Sequence, residues 1–269
     1  MIRDRLRFTV LGCGSSPGVP RPNGDWGNCN AAEPKNRRYR TSLLVERISE
    51  RGRTSVVIDT GPDFRSQMLS AKVQHLDGVV YTHGHADHIH GIDDLRSFVV
   101  DKKQLLNVYA DKATRTRLHE GFGYCFKTPK GSNYPPILAI NEINATTAFS
   151  IAGAGGEIIL QPHLQIHGDI NSLGFRIGNV AYCTDVSAFP DGIEEKLQNL
   201  DMLIIDALQY KPHPSHFSLE EALRWIDVLQ PRRALLTHMH IRLDYHKAKQ
   251  EVPVHVAPAY DGLVFEMPV

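Results

Sequence analysis

Several things are missing from this sequence, and each absence excludes something. No apolar run approaches the roughly 20 residues that a membrane-spanning helix needs. Charge of one sign is missing too. Thirty basic and thirty acidic residues cancel, which excludes a globally cationic nucleic-acid coat and an acidic disordered tail. Cysteine is scarce, and Cys13, Cys29, Cys125 and Cys183 are scattered with no C-x-x-C pair, so a disulfide framework is not expected. The opening Met1-Ile2-Arg3-Asp4-Arg5-Leu6-Arg7 carries charge with no apolar segment behind it, so no secretory signal and a cytoplasmic location are expected. No repeat, low-complexity tract or linker divides the chain, which predicts one domain over residues 1–269.

What is present is a soluble globular composition, 42% hydrophobic and 22% charged, enough to bury a sizeable core. Short β-branched runs alternate with helical patterns. Strands are predicted at Leu6–Leu11, Ser42–Val45, Ser55–Ile58 and Gly78–Tyr81, then at Ile158–Leu160, Gly174–Ile177, Val180–Tyr182, Met202–Ile205 and Ala234–Leu236. Helices are predicted from Pro62 to Lys72, from Asp111 to His119, and after Ser218. There Ser218 is the N-cap, Glu221 completes a capping box, and Leu219, Leu223, Ile226 and Leu229 form the apolar stripe. The pattern predicts an α/β fold with packed sheets flanked by helices. Two stretches rich in Gly, Pro and Asn, 12–40 and 121–136, read as long irregular loops. The glycines at 12, 14 and 18 lack the spacing of a dinucleotide-binding turn, and Pro17 interrupts them.

Histidine is where the chemistry concentrates: of fourteen, four fall between His83 and His90. Thr82-His83-Gly84-His85-Ala86-Asp87-His88 follows the strand ending at Tyr81 and places four candidate ligands in six residues, with small residues between them. Neutral imidazole and carboxylate suit zinc, manganese or iron. Burying four such groups without a partner would be costly.

This H-x-H-x-D-H run, with Leu11-Gly12-Cys13-Gly14-Ser15 and Ile58-Asp59-Thr60-Gly61-Pro62-Asp63, resembles the metallo-β-lactamase superfamily across most of the chain. Within it, the sequence is similar to the phosphodiesterase branch, which includes the PhnP-like cyclic phosphodiesterases and, more distantly, the tRNA 3′-processing endonucleases. The resemblance implies an αββα four-layer sandwich with two divalent ions, zinc or manganese or possible iron, at one edge. It implies His83, His85 and His167 on one ion, Asp87, His88 and His238 on the other, and Asp185 between them. His163 is the rival of His167, and Asp185 could instead be a helix N-cap. In Thr237-His238-Met239-His240 both histidines share a side of an extended chain. The resemblance prefers His238, leaving His240 as substitute, supporting or substrate contact, and His246 at the surface. It makes Asp59 the partner that orients a ligand imidazole, although a turn residue would read the same. Some relatives hold a structural zinc on clustered cysteines, whereas the 12–40 stretch offers only Cys13 and Cys29, too far apart to form that site alone.

Such a site activates water and neutralises charge on a phosphodiester. In Pro212-His213-Pro214-Ser215-His216-Phe217-Ser218, His216 is by resemblance the general acid and His213 the alternative or a substrate contact. Asp87 is counted with His216 among the catalytic residues. Seven basic residues between Lys35 and Arg53 against two acidic ones make Arg38 and Arg40 candidates for phosphate, although a solvated basic face reads the same. Tyr124 and Tyr134 are candidates for stacking on a base.

The expected activity is hydrolysis of a small phosphodiester, a cyclic phosphate or nucleotide, with no DNA or membrane partner and a possible homodimer. The alternatives are a tRNA 3′-processing-type nuclease, a thiolesterase or lactamase, and a non-catalytic nucleotide- or metal-binding protein.

Overall fold

Period-two alternation along the early strands decides which side of the first sheet each residue covers. The computed structural model describes residues 4–100 and 104–269, so the first three residues of the N-terminal reading lie outside the described residues. In chain order the first half holds β1 (Arg5–Gly12), β2 (Ser42–Ser49), β3 (Gly52–Ile58), α1 (Phe64–Ala71), β4 (Gly78–Val80), α2 (Ala86–Ile89), β5 (Leu106–Ala110), α3 (Lys112–Phe126) and β6 (Leu138–Glu142). The second holds β7 (Phe149–Gly153), β8 (Gly156–His167), β9 (Ile170–Ile177), β10 (Val180–Cys183), α4 (Ile193–Lys196), β11 (Met202–Asp206), α5 (Leu219–Leu229), β12 (Arg233–Thr237), α6 (Tyr245–Glu251), β13 (Val256–Pro258) and β14 (Val264–Pro268).

Two seven-stranded sheets result, in the orders β14-β1-β2-β3-β4-β5-β6 and β13-β12-β11-β10-β9-β8-β7. Leu43 and Val45, Val56 and Ile58, and Val80 face the second sheet and share a core with Ile158, Leu160, Leu173 and Phe175. The alternate residues Leu44, Val57 and Val79 turn outward, onto Phe64, Met68, Ile89, Ile92 and Leu118. This is the four-layer αββα sandwich. None of the helices among the described residues is long and apolar enough to cross a membrane.

Parallel pairing positions the site. β3 runs parallel to β4, and β10, β11 and β12 run parallel to one another. β8 is antiparallel to β9, which is antiparallel to β10, so β8 shares the direction of β10. Residues at the C-terminal ends of these strands therefore leave the sandwich at one edge, where ligand sites of α/β sheets form. Asp59, His83, His167, Asp185, Asp206 and His238 all lie at or just beyond such an end.

The sequence-based reading differs from the structure in three places. The 121–136 stretch is not all loop, because α3 continues to Phe126 across a kink at Phe122 (φ −135°, ψ 29°). β8 is far longer than its apolar run, because after Leu160 its one strand partner is β9, with a single bridge from Ile166 to Ala188 on the other side, which leaves room for Pro162. The strands β5, β6, β7, β13 and β14 were not predicted, because their runs mix polar and small residues with few β-branched ones.

The capping box forms as expected: Glu221 N–H donates to Ser218 Oγ (3.3 Å) and Ser218 N–H to Glu221 Oε2 (2.8 Å). Of the apolar stripe, Leu219, Ile226 and Leu229 are buried, with Ala222 beside them and Leu223 partly covered. Ser218→Ala is expected to lower unfolding stability by about 1 kcal/mol, read as a lower urea midpoint at unchanged m-value.

Candidate metal centre

The Oδ2 atom of Asp185 sits at the middle of the site. It lies 3.2 Å from His88 Nε2 and 3.2 Å from His238 Nε2, and 3.9 Å from both His83 Nε2 and His167 Nε2. Asp87 Oδ2 completes the second set, 3.4 Å from His88 Nε2 and 3.6 Å from His238 Nε2. Two ligand groups follow, His83–His85–His167 and Asp87–His88–Asp185–His238, with donor atoms in each group within 4.8 Å of one another. All are buried except His85, so the cluster opens to solvent on that side.

Backbone geometry makes this convergence possible. A β-carbon at Gly61 would collide with the carbonyl oxygen of Asp87, so glycine lets the turn after β3 rest on the ligand loop. His238 (φ 56°) and Asp59 (φ 65°) occupy the left-handed region, uncommon for residues other than glycine. At both positions the strand ends abruptly and the next residues turn away.

The outer edges of three imidazoles are held, which aims their other nitrogens inward. Asp59 Oδ2 lies 2.7 Å from His88 Nδ1 and accepts the Thr82 hydroxyl at 2.8 Å, while Asp59 Oδ1 accepts the Thr82 N–H. Thr82 Oγ1 lies 3.0 Å from His83 Nδ1, and the carbonyl of Ser215 holds His167 Nδ1. Electrostatics divide the cluster. Burial, followed by the neighbouring His88, drives the His83 pKa well below its usual value. Burial opposes charge on His88 as well, yet Asp185, Asp87 and Asp59 outweigh it and raise its pKa. Asp185 is held well below the carboxylate range, burial being overcome by His238 and His88.

These residues fit divalent metal. His83 Nε2, His88 Nε2 and His238 Nε2 are buried and have no hydrogen-bond partner. Leaving such groups bare is costly, and cations held by the two groups would satisfy all three beside the carboxylates of Asp87 and Asp185. Asp59→Ala is expected to weaken metal affinity by about 10–100-fold, measured by competition with a chromophoric chelator. Unchanged affinity would mean that the carboxylate does not set the ring of His88.

His216 lies against the second group. Its ring stacks on His238 at 4.5 Å between centroids and meets His167 at 4.7 Å. Asp206 Oδ2 lies 2.7 Å from His216 Nδ1. Burial would lower the pKa of His216, but Asp206 outweighs it and raises it to about 9. His213 is exposed, 5.3 Å away ring to ring. Asp206 was missed from sequence, although an acidic residue ending the apolar run from Met202 repeats the pattern that drew notice to Asp59 and Asp185. Thr82 and the carbonyl of Ser215 carried no signal.

Other candidates fall elsewhere. His163 lies deep in the sandwich with Cys183 Sγ 3.4 Å from its Nε2, and burial lowers its pKa to about 3. His240 is outside both ligand groups, with Arg21 Nη2 2.8 Å from its Nε2. Arg38 is not available to substrate. It is buried and donates to the carbonyl of Leu243 (2.9 Å) and to Asn36 Oδ1 (3.1 Å). Arg40 is engaged by Asp63 at 3.0 Å and by the carbonyl of Ser16. Tyr124 is exposed on α3 with Cys125 and Asp93 as neighbours, and Tyr134 lines a separate cleft with Arg96, Val99 and Leu105. His246 is at the surface beside Glu33.

A family model described as the Beta-lactamase superfamily domain matches residues 54–239. An octanoyltransferase of Porphyromonas gingivalis (strain ATCC BAA-308 / W83) is 33% identical over 262 residues, 96% of this chain and 51% of that protein. The chain thus spans about half the length of that curated relative. The crystal structure of a new diphosphatase from the PhnP family superposes with a TM-score of 0.87 at 34% identity, covering 98% of this chain and 97% of that one. The short form of human tRNase Z gives a TM-score of 0.63 at 18% identity over 98% of this chain and 100% of that one, a likeness of fold alone.

Proposed function

The chain belongs to the metallo-β-lactamase superfamily, and from that premise we propose that it is a metal-dependent hydrolase of a small phosphodiester, a cyclic phosphate or a nucleotide. His83, His85 and His167 would hold one divalent ion and Asp87, His88 and His238 a second, with Asp185 facing both groups. Bound ions of this kind supply Lewis acidity and a water activated near neutral pH.

The remaining chemistry belongs to the chain. Asp59, Thr82 and the carbonyl of Ser215 fix the ligand rings before any ion arrives. Asp206 holds His216 by Nδ1 and stabilises its cationic form, so Nε2 carries a proton beside the cluster. Breaking a phosphodiester releases an alkoxide, a poor leaving group until protonated, and His216 is placed to give that proton. This Asp206–His216 pair, stacked on His238, carries the reading, because an alkoxide needs a proton donor whereas a thioester leaves a thiolate, a far more stable anion.

The similarity to a PhnP-family diphosphatase supports phosphorus chemistry. The octanoyltransferase name belongs to a protein about twice as long, and here all four cysteines are buried, leaving no accessible thiol for acyl transfer. The test is metal analysis joined to a screen of cyclic and linear phosphodiesters against thioesters and β-lactams. Turnover of phosphodiesters is expected. Hydrolysis of the other two classes only would remove the substrate assignment, and tight nucleotide binding with no turnover would indicate a sensor.

A further inference from the structure

The carboxylate of Asp185 has two chemically equal oxygens, yet the site uses them differently. Rotation about χ2 of an aspartate is broad and two-fold, so the isolated side chain has no preference for which oxygen points where. Here Oδ2 faces His88, His238, His83 and His167. Oδ1 instead accepts the hydroxyl of Thr184 at 2.7 Å. Thr184 follows the end of β10 directly and is buried.

The backbone that carries both residues is held as well. Gln165 on β8 and Ser172 on β9 stand opposite one another, so their side chains meet on one face. Gln165 Nε2 donates to Ser172 Oγ (3.0 Å) and to the carbonyl of Thr184 (3.2 Å). Ser172 Oγ donates in turn to the carbonyl of Asp185 (2.6 Å). A serine hydroxyl has a single proton. Ser172 gives it to Asp185 and can only accept from Gln165, which sets the direction of the whole chain. A β-carbon at Gly174, two residues along β9, would collide with Gln165 Oε1 and His163 Nε2, so glycine makes room for the amide. Gln165, Ser172, Thr184 and Asp185 are each at most 2% exposed, so water does not compete for these bonds.

We propose that Thr184, backed by Gln165 and Ser172, is a positioning residue that makes Asp185 a one-oxygen bridge: with Oδ1 held by the hydroxyl, Oδ2 alone is offered to both ligand groups. The inference rests on the metal-binding reading of the cluster and is independent of the substrate. A carboxylate free to turn would give both oxygens to the first ion bound, and the second ion would lose its share of the anion between them.

Zinc titrated into metal-free protein, in competition with a chromophoric chelator, reads the two binding steps separately. Thr184→Val keeps the shape and removes the hydroxyl. In it the second ion is expected to bind about 10–100-fold more weakly, with the first nearly unchanged, and Thr184→Ser should restore the second step. A hydroxyl that only supports the fold would weaken both steps alike or neither. Either result overturns the proposal, as does a serine variant no better than the valine one. If circular dichroism shows that Thr184→Val does not fold, Ser172→Ala is read in its place. It removes the support of the Asp185 carbonyl and should weaken the second step in the same direction, and an unchanged second step overturns the proposal. Wild-type protein that takes up no zinc, or a single ion, removes the two-ion premise and the proposal with it. That failure is distinct from a two-step wild type matched by its valine variant, which overturns the role of Thr184 alone.

Discussion

Asp185→Ala is expected to lower kcat/KM on phosphodiesters roughly a thousandfold, the factor that about 4 kcal/mol produces. The carboxylate lies within 3.9 Å of four imidazoles drawn from both ligand groups. Without it, cations held by the two groups would face each other with no anion between them, so occupancy should fall along with rate. Asp185→Asn separates charge from shape. The amide keeps the volume but not the negative charge, and it too should lose most metal and most turnover. Metal content by atomic emission, measured beside rate, checks both variants. An asparagine variant with full metal and full rate would show that charge at this position is irrelevant, and the account of the site would fail.

His216→Ala should produce a loss that depends on the leaving group. For esters that release an ordinary alkoxide the rate is expected to fall by about 10²–10⁴-fold, the usual worth of a positioned acid. For p-nitrophenyl esters, whose leaving anion is stable near neutral pH, the fall should be far smaller. Metal content decides against the competing role, since His216 also groups with Asp185, Asp206 and His238 as a possible ligand. An alanine variant that loses metal, or one that slows both ester types equally, would take the proton-donating role away. Asp206→Asn should act in the same direction through the ring it holds. Asp206 raises the His216 pKa against the effect of burial. Neutralising it should therefore move the alkaline limb of the pH profile to lower pH on alkoxide esters.

The ligand loop was legible because four of its donors are nearly adjacent in sequence, whereas the choice between paired histidines was not. His163 and His167 stand four apart on β8 and therefore share a face. Parity reports the face but not the depth, and only the full length of β8 puts one ring inside the sandwich and the other at its rim. His238 and His240 share a side only while the chain stays extended, and it stops being extended at His238 itself. Arg38 and Arg40 failed as phosphate candidates for a non-local reason. Their partners, the carbonyl of Leu243 and Asp63, stand 205 and 23 residues away. The sheets themselves were largely readable, because β1, β2 and β3 carry compact apolar runs rich in β-branched residues, buried on both faces of their sheet, while β5 and the edge strands mix polar and small residues into theirs.

The donors are divided between the layers: His83, His85, Asp87 and His88 follow a strand of the first sheet, and His167, Asp185 and His238 follow strands of the second. Cations gripped by both sets would act as rivets across the sandwich, closing a long loop of polypeptide that would otherwise be free to open at this rim. Saturation at about a hundred times Kd would add roughly 2.7 kcal/mol against unfolding. Stripping by chelator should first loosen the facing strand ends, seen as faster amide exchange there, while the opposite rim of the sandwich keeps its protection.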